Sequence, residues 1–581
     1  MGDIRISDLV ERFSRGELSR RDFIKRAVGA GVSASVVAAA LAEHAGAAPG
    51  STTRSTARYQ ADAKTLVIAD ALSSSDWLTL DPGWYYEIHS TAGMNLLYEP
   101  LYHIPDGSKP TDIQPLMADG MPTVSADGLT VTVKIRQGVT FHHSGNPVTA
   151  DDFIFSFNRL KNIGWQASFL ATDYWTDAKA LDESTLQFTL AAPNAAFAAV
   201  LTTLELSALD SKVVKENGGT DQPSTDSNAT VSTGVSLSGD TAKDYIDNNS
   251  VGTGPYMVKQ YDRNDEIIFE RNPDYWGDAP KLDRIIWRNI IEPTKQLEAV
   301  QAGEADMAYD LSTDSVQAVK DDPNLQLLTG ATLALEYMGM NIRPEKGALS
   351  NQQARQAIGW AIDYQGIIDG VMGGAAVKPA TCIPLGLTGT EEVKDMGYSL
   401  DLAKAQQLWD ASGVGEVEVE VIYNSDQPTQ GGGNYETFAT IMKDSLEKIN
   451  GLKLKLTPLP GTERIAKYRG ADFVSTFSEW TPDYPDVDSY AGPFARGGTA
   501  AAKRVGYDDP ETTKLLDQGL AETDPAKRTE IYVEVQKRMI DAAAFLSVYQ
   551  PVDQKPASKK VQGVTTHPVY QIQLRYASKT E

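Results

Sequence analysis

Cysteine is almost absent from this chain, which has one such residue, Cys382, among 581. A single cysteine can form no intrachain disulfide and leaves no paired thiolates for a structural zinc site. Histidine is also scarce, with six residues, and neither a His-Glu-x-x-His motif nor a Gly-x-Ser-x-Gly elbow follows the first 47 residues. We therefore expect no metal, no cofactor and no enzymatic activity, with an exported hydrolase as the rival class.

Positive charge is the second scarcity. The chain has 53 Lys and Arg against 78 Asp and Glu, giving a formal charge of −25. Such a surface repels nucleic acid and anionic membranes, so we expect neither as a partner. Apolar runs long enough to span a bilayer are also missing after the first 47 residues.

The N-terminus has the three parts of an export signal. Ser19-Arg20-Arg21-Asp22-Phe23 precedes a short apolar run over residues 27–41, and the small residues Ala45-Gly46-Ala47 end it. This arrangement resembles a twin-arginine signal peptide over residues 1–47, cleaved after Ala47. An ordinary amphipathic helix does not account for the small-residue site. We expect a periplasmic protein.

Apolar periodicity after this leader predicts a mixed α/β protein. Residues 48–63 are rich in Ser, Thr and Ala and predict a flexible lead-in, with the fold starting near Thr65. Strict alternation over residues 130–135 and 185–190 predicts half-buried strands, and Thr149-Ala150-Asp151-Asp152 predicts a capped helix start between them.

A crossover unit is predicted later in the chain. Alternating valines over 417–421, helical spacing over 438–449 and alternating leucines over 452–456 indicate strand, helix and strand. Helices are also predicted over 352–362 and from Asp524-Pro525. Residues 217–249 are dominated by Gly, Ser, Thr, Asp and Asn, and predict a long surface loop.

Ten short motifs occur in an order that resembles one family, the large extracytoplasmic solute-binding proteins of ABC importers that include dipeptide, oligopeptide and nickel binders. The motifs are Leu80-Asp81-Pro82, Tyr98-Glu99-Pro100-Leu101, Asp127-Gly128-Leu129-Thr130 with Arg136-Gln137-Gly138-Val139-Thr140-Phe141-His142, Thr149-Ala150-Asp151-Asp152, Gly252-Thr253-Gly254-Pro255-Tyr256, Arg271-Asn272-Pro273-Asp274-Tyr275-Trp276, Gly303-Glu304-Ala305-Asp306, Arg355-Gln356-Ala357-Ile358, Ala361-Ile362-Asp363 and Trp480-Thr481-Pro482-Asp483-Tyr484-Pro485-Asp486.

The resemblance implies an α/β, two-lobed periplasmic-binding-protein-like fold of the class II type with an additional inserted subdomain. The expected parts are lobe 1 over 64–94, 216–330 with the loop 217–249, and 541–581, the inserted subdomain over 95–215, and lobe 2 over 331–540. It implies a monomer that captures a small ligand, most simply a peptide, between the lobes and delivers it to an ABC permease with its ATPase subunits.

Asp483 is the principal ligand-binding candidate. In peptide-binding relatives, the aspartate of the matching Trp-x-x-Asp motif pairs with the free amino group of the ligand, and an ammonium removed from water needs such a partner. A carboxylate that faces solvent or caps a turn is the alternative. Trp480 and Tyr484 flank it as candidate pocket residues or packing residues, and Tyr85 and Tyr86 lie in a stretch that leads toward the cleft in the family.

The ligand class stays open at this stage, because relatives bind oligosaccharides, opines or metal chelates on the same scaffold. A binder that serves a sensor or a chaperone is a further alternative.

Overall fold

A computed structural model of the protein describes residues 63–73, 77–226, 229–232 and 235–580. The predicted signal peptide 1–47 and all but the last residue of the lead-in 48–63 lie outside the described residues. The first strand begins at Thr65, as the apolar run there predicts.

The strands, numbered in chain order, are β1 Thr65–Asp70, β2 Tyr102–His103, β3 Gln114–Pro115, β4 Thr123–Val124, β5 Thr130–Lys134, β6 Asp177–Asp182, β7 Thr185–Thr189, β8 Tyr256–Tyr261, β9 Glu266–Arg271, β10 Arg284–Asn289, β11 Met307–Ala308, β12 Leu325–Ala331, β13 Leu335–Met340, β14 Ala376–Val377, β15 Val417–Asn424, β16 Leu452–Leu459, β17 Ser475–Trp480, β18 Phe545–Ser558, β19 Val561–Gln562, β20 Thr565–His567, β21 Gln571–Gln573 and β22 Ser578–Lys579.

The α-helices are α1 Thr91–Leu97, α2 Ala150–Ile163, α3 Phe197–Val200, α4 Ser211–Glu216, α5 Lys243–Asn248, α6 Pro293–Gln301, α7 Val316–Asp321, α8 Gln352–Ala361, α9 Tyr364–Met372, α10 Thr390–Val393, α11 Leu402–Ser412, α12 Tyr435–Leu446, α13 Gly461–Arg469, α14 Asp488–Ala495, α15 Ala500–Val505, α16 Pro510–Ala521 and α17 Pro525–Ala542. Short 3₁₀ helices cover Gln166–Ala171, Leu204–Leu206, Thr313–Ser315 and Pro344–Ser350. Within the described residues, every helix is too short or too polar to traverse a lipid bilayer.

One mixed sheet of twelve strands runs through the molecule in the order β16-β15-β17-β13-β18-β11-β1-β10-β9-β8, with β12 and β14 also paired to β18. We call the part built on β1 and β8–β11 the first lobe, and the part built on β13 and β15–β17 the second lobe. Strand β18 belongs to both, because its start pairs with β13 and its end pairs with β12 and β11. The short segment between β12 and β13 is a second connection.

A four-stranded sheet, β4-β5-β7-β6, stands apart from the large sheet. Its inward side chains, Val131, Val133, Leu186 and Phe188, join helix α2 in a separate apolar cluster. The first and second lobes have their own buried clusters, centred on residues such as Trp287 and Phe438 respectively. The boundaries given for the lobes and the subdomain stay predictions.

Local sequence signals explain several of these elements. Helix α2 starts with the predicted capping arrangement, in which the Thr149 amide donates to Asp152 Oδ2 at 2.9 Å. Asp524 caps α17 with Pro525 at its first position. The predicted crossover is also confirmed. Strands β15 and β16 are parallel neighbours in the sheet, and α12 lies between them in the sequence.

The prediction for residues 217–249 is partly wrong. Lys243–Asn248 forms helix α5, and Asp240 is buried beside Arg159. The Arg159 guanidinium bonds both oxygens of Asp240 at 2.8 Å and both oxygens of Asp81 at 2.7 Å. A polar composition favoured a solvated loop, but this ion pair anchors the segment in the interior because a buried arginine needs its charge balanced.

Candidate functional site

A cleft with a cavity volume of about 950 Å³ lies between the two lobes. Ile88 and residues 309–313 line it from the first lobe, and residues 424–432 line it from the second. Two segments that connect the lobes also line the cleft. They are residues 332–334, between β12 and β13, and residues 551–555 of β18. Its volume is within the range of pockets that enclose a small organic ligand.

A smaller cavity of about 190 Å³ continues from this cleft. The two share Ile88, Thr481, Pro568 and Gln571 in their walls. Both Asp483 and Glu205 line the smaller cavity, and among its described lining residues there is no Lys, Arg or His. We call this space the acidic cavity, because its ionisable carboxyl groups have no cationic neighbour in its wall.

Asp483 lies in the loop between β17 and α14, half-buried, and it accepts a hydrogen bond from the Tyr86 hydroxyl at 2.7 Å. Burial raises the pKa of Asp483, and the bond from Tyr86 opposes this rise. The Asp483 carboxylate therefore lies in the cavity wall with one hydrogen-bonding neighbour, Tyr86, whose ring is held edge-on against Phe169 at 6.0 Å.

Glu205 is a residue of the acidic cavity that the sequence did not reveal. It lies in the 3₁₀ helix Leu204–Leu206 and is half-buried in the wall of the acidic cavity. Burial raises the pKa of Glu205 to about 8, and the charges of Asp483 and Glu87 add to the rise. The sequence gives no signal that Glu205 lies in this cavity, because Asp483, which lines the same cavity, is far away in the chain.

The other candidate residues are distributed differently. Tyr484 is buried, lines the acidic cavity and meets Tyr174 edge-on at 5.5 Å, so a second-lobe residue packs into the cluster of the four-stranded sheet. Tyr85 also lines this cavity, but its ring lies in the first-lobe core and its hydroxyl bonds Thr91. Trp480 packs against Phe494 at 5.1 Å and is not in the wall of either cavity.

A family model described as "Bacterial extracellular solute-binding proteins, family 5 Middle" matches residues 112–502. The chain belongs to this family. Family 5 proteins bind solutes and are not enzymes, so the chain is the extracytoplasmic substrate-binding protein of an ABC importer, as the order of its motifs predicted.

Relatives of this family 5 protein carry different ligand names. The chain is 27% identical over 513 residues to the "Probable D,D-dipeptide-binding periplasmic protein DdpA" of Escherichia coli K12, covering 88% of this chain and 90% of that one. It is 24% identical to "Heme-binding protein A" of Haemophilus influenzae, covering 82% and 86%.

Solved structures show the same fold. HbpA2 from Haemophilus parasuis superposes with a TM-score of 0.76 at 22% identity, over 89% of this chain and all of that one. The dipeptide-binding protein of Pseudoalteromonas sp. SM9913, in complex with Met-Leu, gives 0.70 at 21% identity with the same coverage. The fold-class prediction was an α/β, two-lobed periplasmic-binding-protein-like fold of the class II type with an additional inserted subdomain. It is confirmed as a mixed α/β fold that matches these binding-protein structures and has extra small sheets.

A buried polar network supports the second-lobe wall of this family 5 protein. The Tyr435 hydroxyl donates to Glu336 Oε1 at 2.6 Å, and the amide of Gln430 donates to the other oxygen of Glu336 at 3.1 Å. Burial raises the pKa of Glu336 well above its ordinary value, and Glu479 adds to the rise. Arg464 bonds Glu479 at 3.0 Å. The network fixes the loop 426–432 that faces the cleft.

Proposed function

We propose that this family 5 protein captures a peptide by its free amino group in the acidic cavity and delivers it, as a monomer, to an ABC permease and its ATPase subunits. The observation that carries the proposal is that two carboxyl groups, those of Asp483 and Glu205, line one cavity whose described walls offer no cation. Such a site favours a ligand that brings its own positive charge.

The physical reason is the cost of desolvation. An ammonium group that leaves water loses its hydration, and a carboxylate held in place can replace it with a charge-assisted hydrogen bond. Burial raises the pKa of both Asp483 and Glu205, and the charge of Asp483 adds to the rise for Glu205. An ammonium group would relieve both effects at once, whereas a neutral or anionic group would relieve neither.

The remaining peptide would extend into the larger cleft. The connecting segments, residues 332–334 and 551–555, and the loop 426–432 line the cleft there. Main-chain hydrogen bonds can hold a peptide irrespective of its sequence, while water fills roomy side-chain spaces. The carboxyl groups of the acidic cavity and the similarity to the probable D,D-dipeptide-binding protein DdpA support this ligand class.

Closure of the lobes would complete the site. Asp483 and Tyr484 come from the second lobe, whereas Tyr86 precedes helix α1 and Tyr174 belongs to the cluster of the four-stranded sheet. A ligand that contacts both sides favours the closed state by its differential affinity for that state. The permease would then receive a closed, loaded protein.

The test uses the purified protein without its first 47 residues. Native mass spectrometry of freshly prepared protein should show bound peptides, and calorimetry should give their dissociation constants. We expect Asp483→Asn to weaken a peptide with a free amino terminus by about 2–5 kcal/mol, as for a broken buried charge pair. Asp472→Asn, an exposed carboxylate of the second lobe, is the matched control. An unchanged constant in Asp483→Asn would reject the amine role.

We also propose export by the twin-arginine route with cleavage after Ala47, because Arg20-Arg21 and Ala45-Gly46-Ala47 have the required order. Replacing both arginines by lysine should retain the protein in the cytoplasm as an uncleaved precursor. The mass of the secreted form locates the cleavage site. Secretion of the double-lysine variant at the normal level would contradict this route.

A further inference from the structure

Three potential metal ligands converge at the first-lobe wall of the large cleft. Asp70 is the last residue of β1, Asp310 follows Tyr309 just beyond β11, and His89 precedes α1. One ligand atom from each residue lies within 4.8 Å of the other two. Both His89 and Asp310 line the cleft.

The sheet topology explains the convergence. Strands β1 and β11 are parallel neighbours, with Ala69 beside Ala308, so their carboxyl ends meet at one edge of the sheet. In open α/β sheets, the space beyond the carboxyl ends of the strands is where ligands bind. The convergence of these three residues cannot be predicted from the sequence, because many elements separate β1 from β11 in the chain.

Outer hydrogen bonds orient both carboxylates. Trp77 Nε1 donates to Asp70 Oδ2 at 3.0 Å, and Gln296 Nε2 donates to Asp310 Oδ2 at 2.9 Å. Asp70 Oδ1 is turned toward His89 Nε2, at 2.6 Å. Carboxylates that bind metals are typically held in position by hydrogen bonds of this kind from neighbouring residues.

A buried hydroxyl beside the cluster provides an independent indication. Tyr309 is 4% exposed, and its hydroxyl has no hydrogen-bond partner among the residues that the structure describes. Its ring lies 4.3 Å from that of His89. Buried hydroxyls are normally paired, and a group bound in the cleft would give this one a partner. The ion pair of Asp70 with His89 explains their short contact and Gln296 orients Asp310, but neither contact involves the Tyr309 hydroxyl.

We propose that Asp70, His89 and Asp310 bind one divalent transition-metal ion at the wall of the cleft. Imidazole nitrogen with two carboxylate oxygens is a ligand set for Zn²⁺ and its first-row neighbours, and three protein ligands leave coordination positions open. These positions face the cleft, and Tyr309 can hydrogen-bond water or ligand bound there. The nearby Lys555 ammonium is paired with Asp553 at 3.2 Å, which reduces its opposition to a second cation.

The experiment titrates metal in the absence of peptide. Untagged protein without its first 47 residues is treated with chelator, then titrated with ZnCl₂ by calorimetry and with CoCl₂ by visible absorption. We expect one site per chain. His89→Gln and Asp310→Asn should each weaken metal binding by more than about 100-fold. Mutating a residue that only hydrogen-bonds a metal ligand already lowers metal affinity by about 10- to 100-fold.

Asp426→Asn, which changes a carboxylate on the opposite wall of the cleft, is the control and should retain the wild-type constant. Circular dichroism of each variant verifies folding. Absence of one-site binding in wild type, or equal constants in wild type and a folded His89→Gln variant, would overturn the proposal. Asp483→Asn should bind metal normally, so failure of the peptide proposal and failure of the metal site give different results.

Discussion

Glu205 gives the most specific test of the acidic cavity, because its carboxyl group makes the stability of the protein depend on pH. The pKa of Glu205 is raised from its ordinary 4.5 to about 8 by burial, with a further rise from Asp483 and Glu87. We predict that Glu205→Gln, which keeps the shape and removes the ionisation, stabilises the protein at alkaline pH and has little effect at pH 5.

The sign follows from proton linkage. As the pH rises above 4.5, the unfolded chain loses the proton of Glu205 while the folded protein retains it, so this group's contribution to stability falls until the pH exceeds 8. At 1.36 kcal/mol per pKa unit, the full shift corresponds to about 5 kcal/mol. Because the carboxyl group borders a water-accessible cavity, screening reduces this effect, and we expect about 2–3 kcal/mol.

Urea denaturation at pH 5 and pH 9 measures the effect. The free energy of unfolding of Glu205→Gln minus that of wild type should increase by this amount between the two pH values. Glu216→Gln changes an exposed carboxyl group in the same region of the chain and should show no such increase. If the difference between Glu205→Gln and wild type is the same at both pH values, Glu205 is not held neutral by its surroundings, and the reasoning fails.

Two further predictions concern residues outside the acidic cavity. Asp240→Ala should destabilise the protein by about 3–5 kcal/mol in urea, because it leaves Arg159 with one buried partner, whereas Asp244→Ala, on the exposed side of α5, should change stability little. Trp480→Phe should change peptide affinity by less than about twofold, since the ring packs on Phe494 away from both cavities. A large loss of peptide affinity in a folded Trp480→Phe variant would show that Trp480 contributes to peptide binding.

The local elements of the fold followed from periodicity because each depends on neighbours in the sequence. Alternation predicted β5, β7, β15 and β16, and cap residues located the starts of α2 and α17. Residues 217–249 were harder, since Asp240 is drawn inward by Arg159 through a contact across 81 positions. An ion pair between residues far apart in the sequence produces no periodic pattern from which it could be predicted.

The binding site itself stays a prediction, and its principal residue came from one motif. Asp483 was selected from Trp480-Thr481-Pro482-Asp483, and the structure places its carboxyl group in a cavity beside Glu205. Tyr85 and Tyr86 could not be distinguished from the sequence, because they are neighbours in the same stretch that leads toward the cleft in the family. In the structure, Tyr86 bonds Asp483 while the Tyr85 hydroxyl bonds Thr91.

Glu205 and the Asp70–His89–Asp310 cluster had no sequence signal. Their members come from separate elements and meet only after the parallel strands β1 and β11 are paired and the lobes are joined. The prediction that no metal binds rested on the absence of closely spaced ligand motifs, a pattern that detects sites on one helix or loop and misses sites assembled by a sheet.

The contact between a peptide amine and Asp483 can be measured directly by a double-mutant cycle. Wild type and Asp483→Asn are each titrated with a peptide that has a free amino terminus and with its N-acetylated form. We predict a coupling energy of about 2–5 kcal/mol, since each change alone removes the same charge pair. Additive losses, with no coupling between acetylation and Asp483→Asn, would show that the amino group binds elsewhere and would contradict the proposed function.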